Sequence, residues 1–230
     1  MLGIHLTRKI NVRLLLITLL MVLSPLSQAS TVKLNYGVLF SYMKTMYKLD
    51  YPYVTTAFYL VNKDNHQLCQ INNAQIQVDD VLQPILFMPE GQLLPFYSDQ
   101  HRQDGAVLVI DINDNKQVSD CNLQITVMGK ASELSSLDQQ KLTAMSDQLQ
   151  GVLKKNAGMI GRHFLPEYAG VRLQLSDPLS QEQINTLDGK IDVASNGDLL
   201  LKTDSFSIIN KMNELELKLI RITPWMLNNQ

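Results

Sequence analysis

The stretch from Leu14 to Leu23 is apolar at every position except Thr18, and Pro25 ends it. His5, Arg8, Lys9 and Arg13 precede it, and Ser27-Gln28-Ala29 follows with small residues two apart. A basic start, a short apolar run and a small-x-small ending are the three parts of a secretory leader. The run is shorter than the roughly 20 residues that cross a bilayer, so residues 1–29 are expected to be cleaved away after Ala29. What remains must then fold in an oxidising compartment, the periplasm, where cysteines pair. Two are present, Cys69 and Cys121, and only one pairing exists for them. They are expected to form a disulfide holding two strands together; no C-x-x-C spacing suggests a redox pair instead.

Removing Arg8, Lys9 and Arg13 leaves seventeen basic against twenty-two acidic residues, a formal charge of −5. An acidic chain lacks the basic footprint that phosphate backbones require, so nucleic acid is not an expected partner. No later apolar run is long enough to span a bilayer, so the mature chain is expected to be soluble.

Periodicity gives the architecture. Leu39, Tyr42, Met43 and Met46 fall on one helical stripe over residues 36–48, with Asn35 as cap. Residues 54–61, β-branched and aromatic, predict a buried strand, and 74–78 alternate strictly. Pro84 assigns 81–88 to a sheet edge. Further strands are expected at 92–96, 106–112 and 122–128, with a polar loop over 98–105. Ser136 and Gln139 match a capping box, and Leu142, Met145, Leu149 and Val152 continue as one stripe. A helix is therefore predicted over 137–155, ended by Asn156, Gly158 and Gly161. Strands follow at 171–175, at 190–194 and 198–202 across Asn196-Gly197, and at 214–222. The expected fold is α+β: a β-sandwich-like region with a covering helix (30–130), a central helix and connection (131–166), and a smaller β region (167–230).

Catalytic constellations are sparse. No G-x-S-x-G elbow occurs, and His66, His101 and His163 lie in polar turns or at a helix end. Asp111-x-Asn113-x-Asn115 begins like a calcium loop, but Lys116 replaces its glycine and Asn122 its bidentate glutamate. His66 beside Asp64, and His101 between Asp99 and Asp104, each fall short of a zinc ligand set. Asp79 and Asp80 are adjacent, so on a strand they would face apart. Gly158-Met159-Ile160-Gly161, between Lys154-Lys155 and Arg162-His163, is assigned to helix termination. No catalytic residue, metal or cofactor is therefore assigned. Six of eight tyrosines lie between positions 36 and 59. Tyr47, Tyr51 and Tyr53, at a helix end and in a proline-bounded turn, are the candidate anchors for a partner.

Asn35-Tyr36-Gly37, Ala57-Phe58-Tyr59-Leu60-Val61-Asn62, Cys69-Gln70-Ile71, Gly91-Gln92-Leu93-Leu94-Pro95, Asp120-Cys121-Asn122-Leu123, Gly158-Met159, Phe164-Leu165-Pro166 and Arg221-Ile222-Thr223-Pro224-Trp225 occur in this order. In that order and spacing the chain resembles a family of secreted proteins of Gram-negative bacteria, classified only as a domain of unknown function. The resemblance implies paired cysteines but brings no activity, cofactor or catalytic residue. The function expected is that of a non-catalytic binding or accessory module of the cell envelope, engaging an envelope protein or ligand. The alternative is a hydrolase acting on an envelope polymer.

Overall fold

The computed structural model describes residues 30–88, 91–112, 121–187 and 191–227. The expected leader lies outside them, as does most of the calcium-like stretch. Twelve strands and six helices are formed among these residues, and the strands make three antiparallel four-stranded sheets.

Sheet one has the order β1 (Ser30–Asn35), β7 (Val107–Ile112), β3 (Ile71–Val78), β4 (Val81–Pro84). Sheet two has the order β5 (Leu86–Phe87), β6 (Gln92–Leu94), β2 (Val54–Asn62), β8 (Cys121–Gly129). Their inner faces share one core, with Leu108, Ile110 and Ile112 from sheet one and Phe58, Leu60 and Leu93 from sheet two. Helix α1 (Tyr36–Leu49) adds Tyr36, Leu39 and Phe40 to the same core. This is the sandwich with its covering helix. Asn35 caps α1 by accepting from the Gly37 N–H at 2.7 Å.

Two local irregularities make the sandwich close. In β3 the register shifts between Ile71 and Asn73, and that extra residue turns both Ile71 and Ala74 inward. Pro84 ends β4 at the edge of sheet one, and after Ile85 the chain enters β5 at the edge of sheet two. Lacking an N–H, the proline is suited to the point where a strand leaves its ladder. The polar loop predicted over 98–105 contains a short helix, α2 (Asp99–Gln103), because Ser98 accepts from the His101 N–H.

Cys69 and Cys121 are disulfide-bonded with Cα atoms 6.5 Å apart. Cys121 opens β8 in sheet two, whereas Cys69 lies just before β3 in sheet one. The Cys69 N–H donates to the Leu60 carbonyl of β2 at 2.9 Å, so the bond ties the chain leaving β2 for β3 to the first residue of β8.

The third sheet, β10 (Asp192–Val193), β11 (Leu199–Lys202), β9 (Tyr168–Leu175), β12 (Leu219–Met226), has its own core. A single turn, α3 (Ala131–Leu134), precedes the long helix α4 (Gln139–Gly161). The stripe Leu142, Met145, Leu149, Val152 of α4 is fully buried with Val171, Leu173, Leu199, Leu201 and Ile222 in that core. Each such leucine contributes about 2 kcal/mol by leaving water. Asp138 caps α4, accepting from the Lys141 N–H at 2.7 Å, while Ser136 accepts from the Lys141 ammonium instead. The carboxylate displaces the expected serine because a charge at a helix N-terminus also meets the helix dipole. Two short helices, α5 (Gln181–Thr186) and α6 (Ile208–Glu214), complete this half. Residues 214–218, expected to begin a strand, end α6 and turn; Ile208, Ile209 and Met212 hold that helix in the core, and the strand starts at Leu219.

Tyr168 reaches α4, where its hydroxyl donates to the Ser146 carbonyl at 3.1 Å and lies 2.9 Å from Ser146 Oγ. Burial, opposed by the hydrogen bond to Ser146, pushes its ionisation up to about 12. The unfolded chain loses that proton near pH 10, so the unfolded state binds fewer protons between the two values. Stability from this group is complete below pH 10 and declines as pH rises through about 12. Urea titrations across that range should show a falling free energy worth roughly 2–3 kcal/mol at its end, and Tyr168→Phe should remove that part of the slope.

Candidate functional site

Strand alternation makes sheet three two-faced. On β9, Val171 and Leu173 point into the core, so Arg172 and Gln174 point away; on β12, Ile222 points in, so Arg221 and Thr223 point away. The register places Thr223 opposite Arg172 and Arg221 opposite Gln174. The two arginines are therefore diagonal neighbours on one face, with Cα atoms about 7–8 Å apart. Opposite them stands the outer face of sheet two, with Tyr59 and Val61 on β2 and Gln124 and Thr126 on β8. Tyr59 and Val61 are buried there beside Ala57 and Met128. That second contact explains why β2 is apolar without alternation, being covered on both sides.

Between the two faces lies a cleft of about 320 Å³. Arg221 donates from Nη2 to the Tyr59 hydroxyl at 3.2 Å, and its guanidinium lies 5.0 Å from the centre of that ring. Both partners are neutral, and among the described residues no carboxylate pairs with Arg221. Arg172 does have one: Nη1 is 3.6 Å from Oδ2 of Asp198. Asp198 sits in the turn between β10 and β11, nearly buried, and accepts from the Asn196 amide at 2.8 Å. His66 forms part of the rim, held in the left-handed region (φ 56°) by a backbone bond from its N–H to the Asn62 carbonyl. Among the described residues, the fixed charges facing the cleft are thus two guanidiniums against one carboxylate.

A more apolar groove of about 540 Å³ adjoins it and shares Thr126, Arg172 and Thr223 with it. Tyr42 from α1, Leu153 and Ala157 from α4, and Met226 from β12 supply much of its wall. Arg172 therefore stands at the junction of a polar chamber and an apolar one.

The tyrosine anchors expected from the sequence do not meet at this cleft. Tyr47 is 73% exposed and stacks on Tyr97, with ring centres 5.2 Å apart. Tyr97 stacks in turn on Phe40 at 5.0 Å. Tyr51 and Tyr53 are only half-buried but pack on the core beneath sheet three. Tyr51 lies against Gly151 of α4, where a side chain's Cβ would come 2.7 Å from its hydroxyl. The Tyr53 N–H donates to Gln148 Oε1 at 3.0 Å, and Lys141 Nζ lies 5.9 Å from its ring centre. Arg172 and Arg221 carried no signature in sequence beyond being cations on alternating strands.

Among the described residues no three His, Cys, Asp or Glu side chains gather as metal ligands would, and no helix is long and apolar enough to cross a membrane.

An α+β chain with a disulfide-tied sandwich, a long helix and a third sheet facing the sandwich across an arginine-lined cleft is the class defined by these features. The chain belongs to the family described as "Protein of unknown function (DUF2987)", which matches residues 28–175. The match takes in both sandwich sheets, α4 and β9 with Arg172, and stops before Arg221. No curated protein and no solved structure matches the chain.

Proposed function

We propose that this chain is a non-catalytic binding module of the cell envelope, exported by its leader to the periplasm, and that the cleft between sheets two and three holds an anionic group of its ligand. Arg221 carries this reading: it is a guanidinium in a partly enclosed cleft that donates to a tyrosine hydroxyl and lies over its ring, with no carboxylate partner among the described residues. Guanidinium presents paired donors that match carboxylate or phosphate, and a cation lacking a carboxylate partner has most to gain from one. Gln124, Gln174, Thr126 and Thr223 add neutral polar groups around it. The hydrolase alternative has less support, because the cleft's carboxylate, Asp198, is already committed to Arg172 and Asn196. Tyr47, the exposed one of the three tyrosines, stays in the proposal as an anchor for an envelope partner.

Isothermal titration with inorganic phosphate and with succinate supplies the test. One of the two anions should bind, and Arg221→Gln should weaken it roughly tenfold to a hundredfold, the worth of a hydrogen bond to a charged group. Arg102→Gln, beside the Phe40 ring and not among the residues lining the cleft, should leave it unchanged. If neither anion binds, or the Arg221 variant binds both as before, the cleft is not an anion site.

A further inference from the structure

The end of α4 presents the strongest apolar exposure among the described residues. Met159, Ile160 and Phe164 are 79%, 76% and 81% exposed, values close to those of an extended chain. Gly158 places them there. Its φ of 73° and ψ of −172° are outside the helical region, so the helix breaks and the last turn is redirected after Val152 has made the stripe's final buried contact. No Cβ on Gly158 would meet a neighbour, so the glycine serves the backbone conformation and not a close approach. The residues framing the tip, Lys154, Lys155 and Arg162, are exposed cations, and none is in an ion pair among the described residues. Lys154 has the neutral Gln150 side chain as its partner at 3.0 Å. From Gln148 to Pro166 the sequence contains no acidic residue at all, in a chain that is acidic beyond its leader.

We propose that this tip is a membrane-contact element, its three apolar side chains entering the interface of an anionic phospholipid layer while the flanking cations meet the headgroups. The shape separates this occupant from a protein partner. Met159, Ile160 and Phe164 are not among the residues that line the adjoining apolar groove, which Leu153, Ala157 and Leu165 wall, so they project beside it into solvent, and a fluid interface accommodates such a projection. The charge arrangement points the same way, since apolar insertion joined to a basic collar is what holds a protein on an anionic surface. The net negative charge of the rest does not prevent it, because charges farther than about 10 Å from the surface are screened at ordinary ionic strength.

The experiment is co-sedimentation of the protein, as recovered from the exporting cell, with phosphatidylcholine vesicles that contain or lack phosphatidylglycerol. The N-terminus of each preparation is confirmed by mass spectrometry, so that the leader's apolar run is not mistaken for the tip. Binding is expected to the phosphatidylglycerol vesicles and to fall as salt is raised. Changing Met159, Ile160 and Phe164 together to serine should reduce it at least about tenfold. Lys155→Glu with Arg162→Glu should reduce it on anionic vesicles by roughly fivefold for each charge removed and have little effect on neutral ones. Because all five side chains are exposed, circular dichroism and thermal unfolding of these variants should match the parent. Absence of binding to either vesicle, or binding indifferent to both sets of changes, overturns the proposal. So does light scattering that shows a dimer in the parent and a monomer in the serine variant, which assigns the tip to a second copy of this chain. Neither result bears on the arginine cleft, whose anion titration is read without vesicles.

Discussion

Gly170→Ala is expected to destabilise the protein by about 3 kcal/mol, one of the largest single-methyl effects the fold offers. Gly170 lies in β9 with φ 154°, a conformation L side chains rarely adopt. It pairs with Lys202 of β11 on one side and Trp225 of β12 on the other, so its backbone is held from both directions. A Cβ built on it would overlap the carbonyl oxygen of Leu201 and come within 3.0 Å of Lys202 Cα. These are backbone atoms of a paired strand and cannot swing aside as the end of a side chain can. The alanine must therefore strain φ, push β11 away, or both, and β11 carries Leu199 and Leu201 into the core shared with α4. For a chain of this size the loss should appear as a fall in melting temperature of roughly 6–12 °C. Gly197→Ala is the control: its φ is 86°, but no atom lies near its Cβ. It should cost only the backbone strain, roughly 1 kcal/mol. Equal losses at the two glycines would show that backbone conformation and not the close approach to β11 sets the effect.

What could be read before the fold was known depended on how local the cause is. The alternation Val171-Arg172-Leu173-Gln174-Leu175 states by itself that one face of β9 is apolar and the other polar, and the sheet uses it so. The stripe Leu142, Met145, Leu149, Val152 likewise contains its own helix. The cleft is different, because Arg172 and Arg221 become neighbours only through the antiparallel register of β9 and β12. Tyr59 joins them from another sheet, and no spacing rule connects positions so far apart. The three candidate anchor tyrosines differ in their packing for a related reason. Tyr51 and Tyr53 look like turn residues, yet Gly151 and Gln148 of α4, a hundred positions on, give them a place to pack. At 214–218 the alternation Leu215, Leu217, Leu219 resembled a strand, but leucines alternating through a helix end and a turn can pack on a core equally well.

Removing the disulfide, by changing Cys69 and Cys121 together to alanine, is expected to cost about 2–5 kcal/mol. The bond closes a loop with a sequence separation of 52, for which chain entropy alone predicts about 4 kcal/mol. Its position gives a second reason for a large effect. Cys69, bonded through its N–H to Leu60 of β2 and two residues ahead of β3, is tied to the first residue of β8, so the bond pins the point where the chain leaves sheet two for sheet one. Both cysteines are buried, so the double alanine also leaves space where two sulfur atoms were. Changing both avoids a lone thiol that could pair between molecules. Chain entropy acts on the unfolded state, so the variant should unfold to a more expanded ensemble and its urea dependence should steepen as its stability falls. If stability falls with no change in that dependence, the bond acts through native packing at the sandwich end. A loss below about 1 kcal/mol would mean that β2 and β8, paired over nine positions from Val54 opposite Gly129 to Asn62 opposite Cys121, hold that end without it.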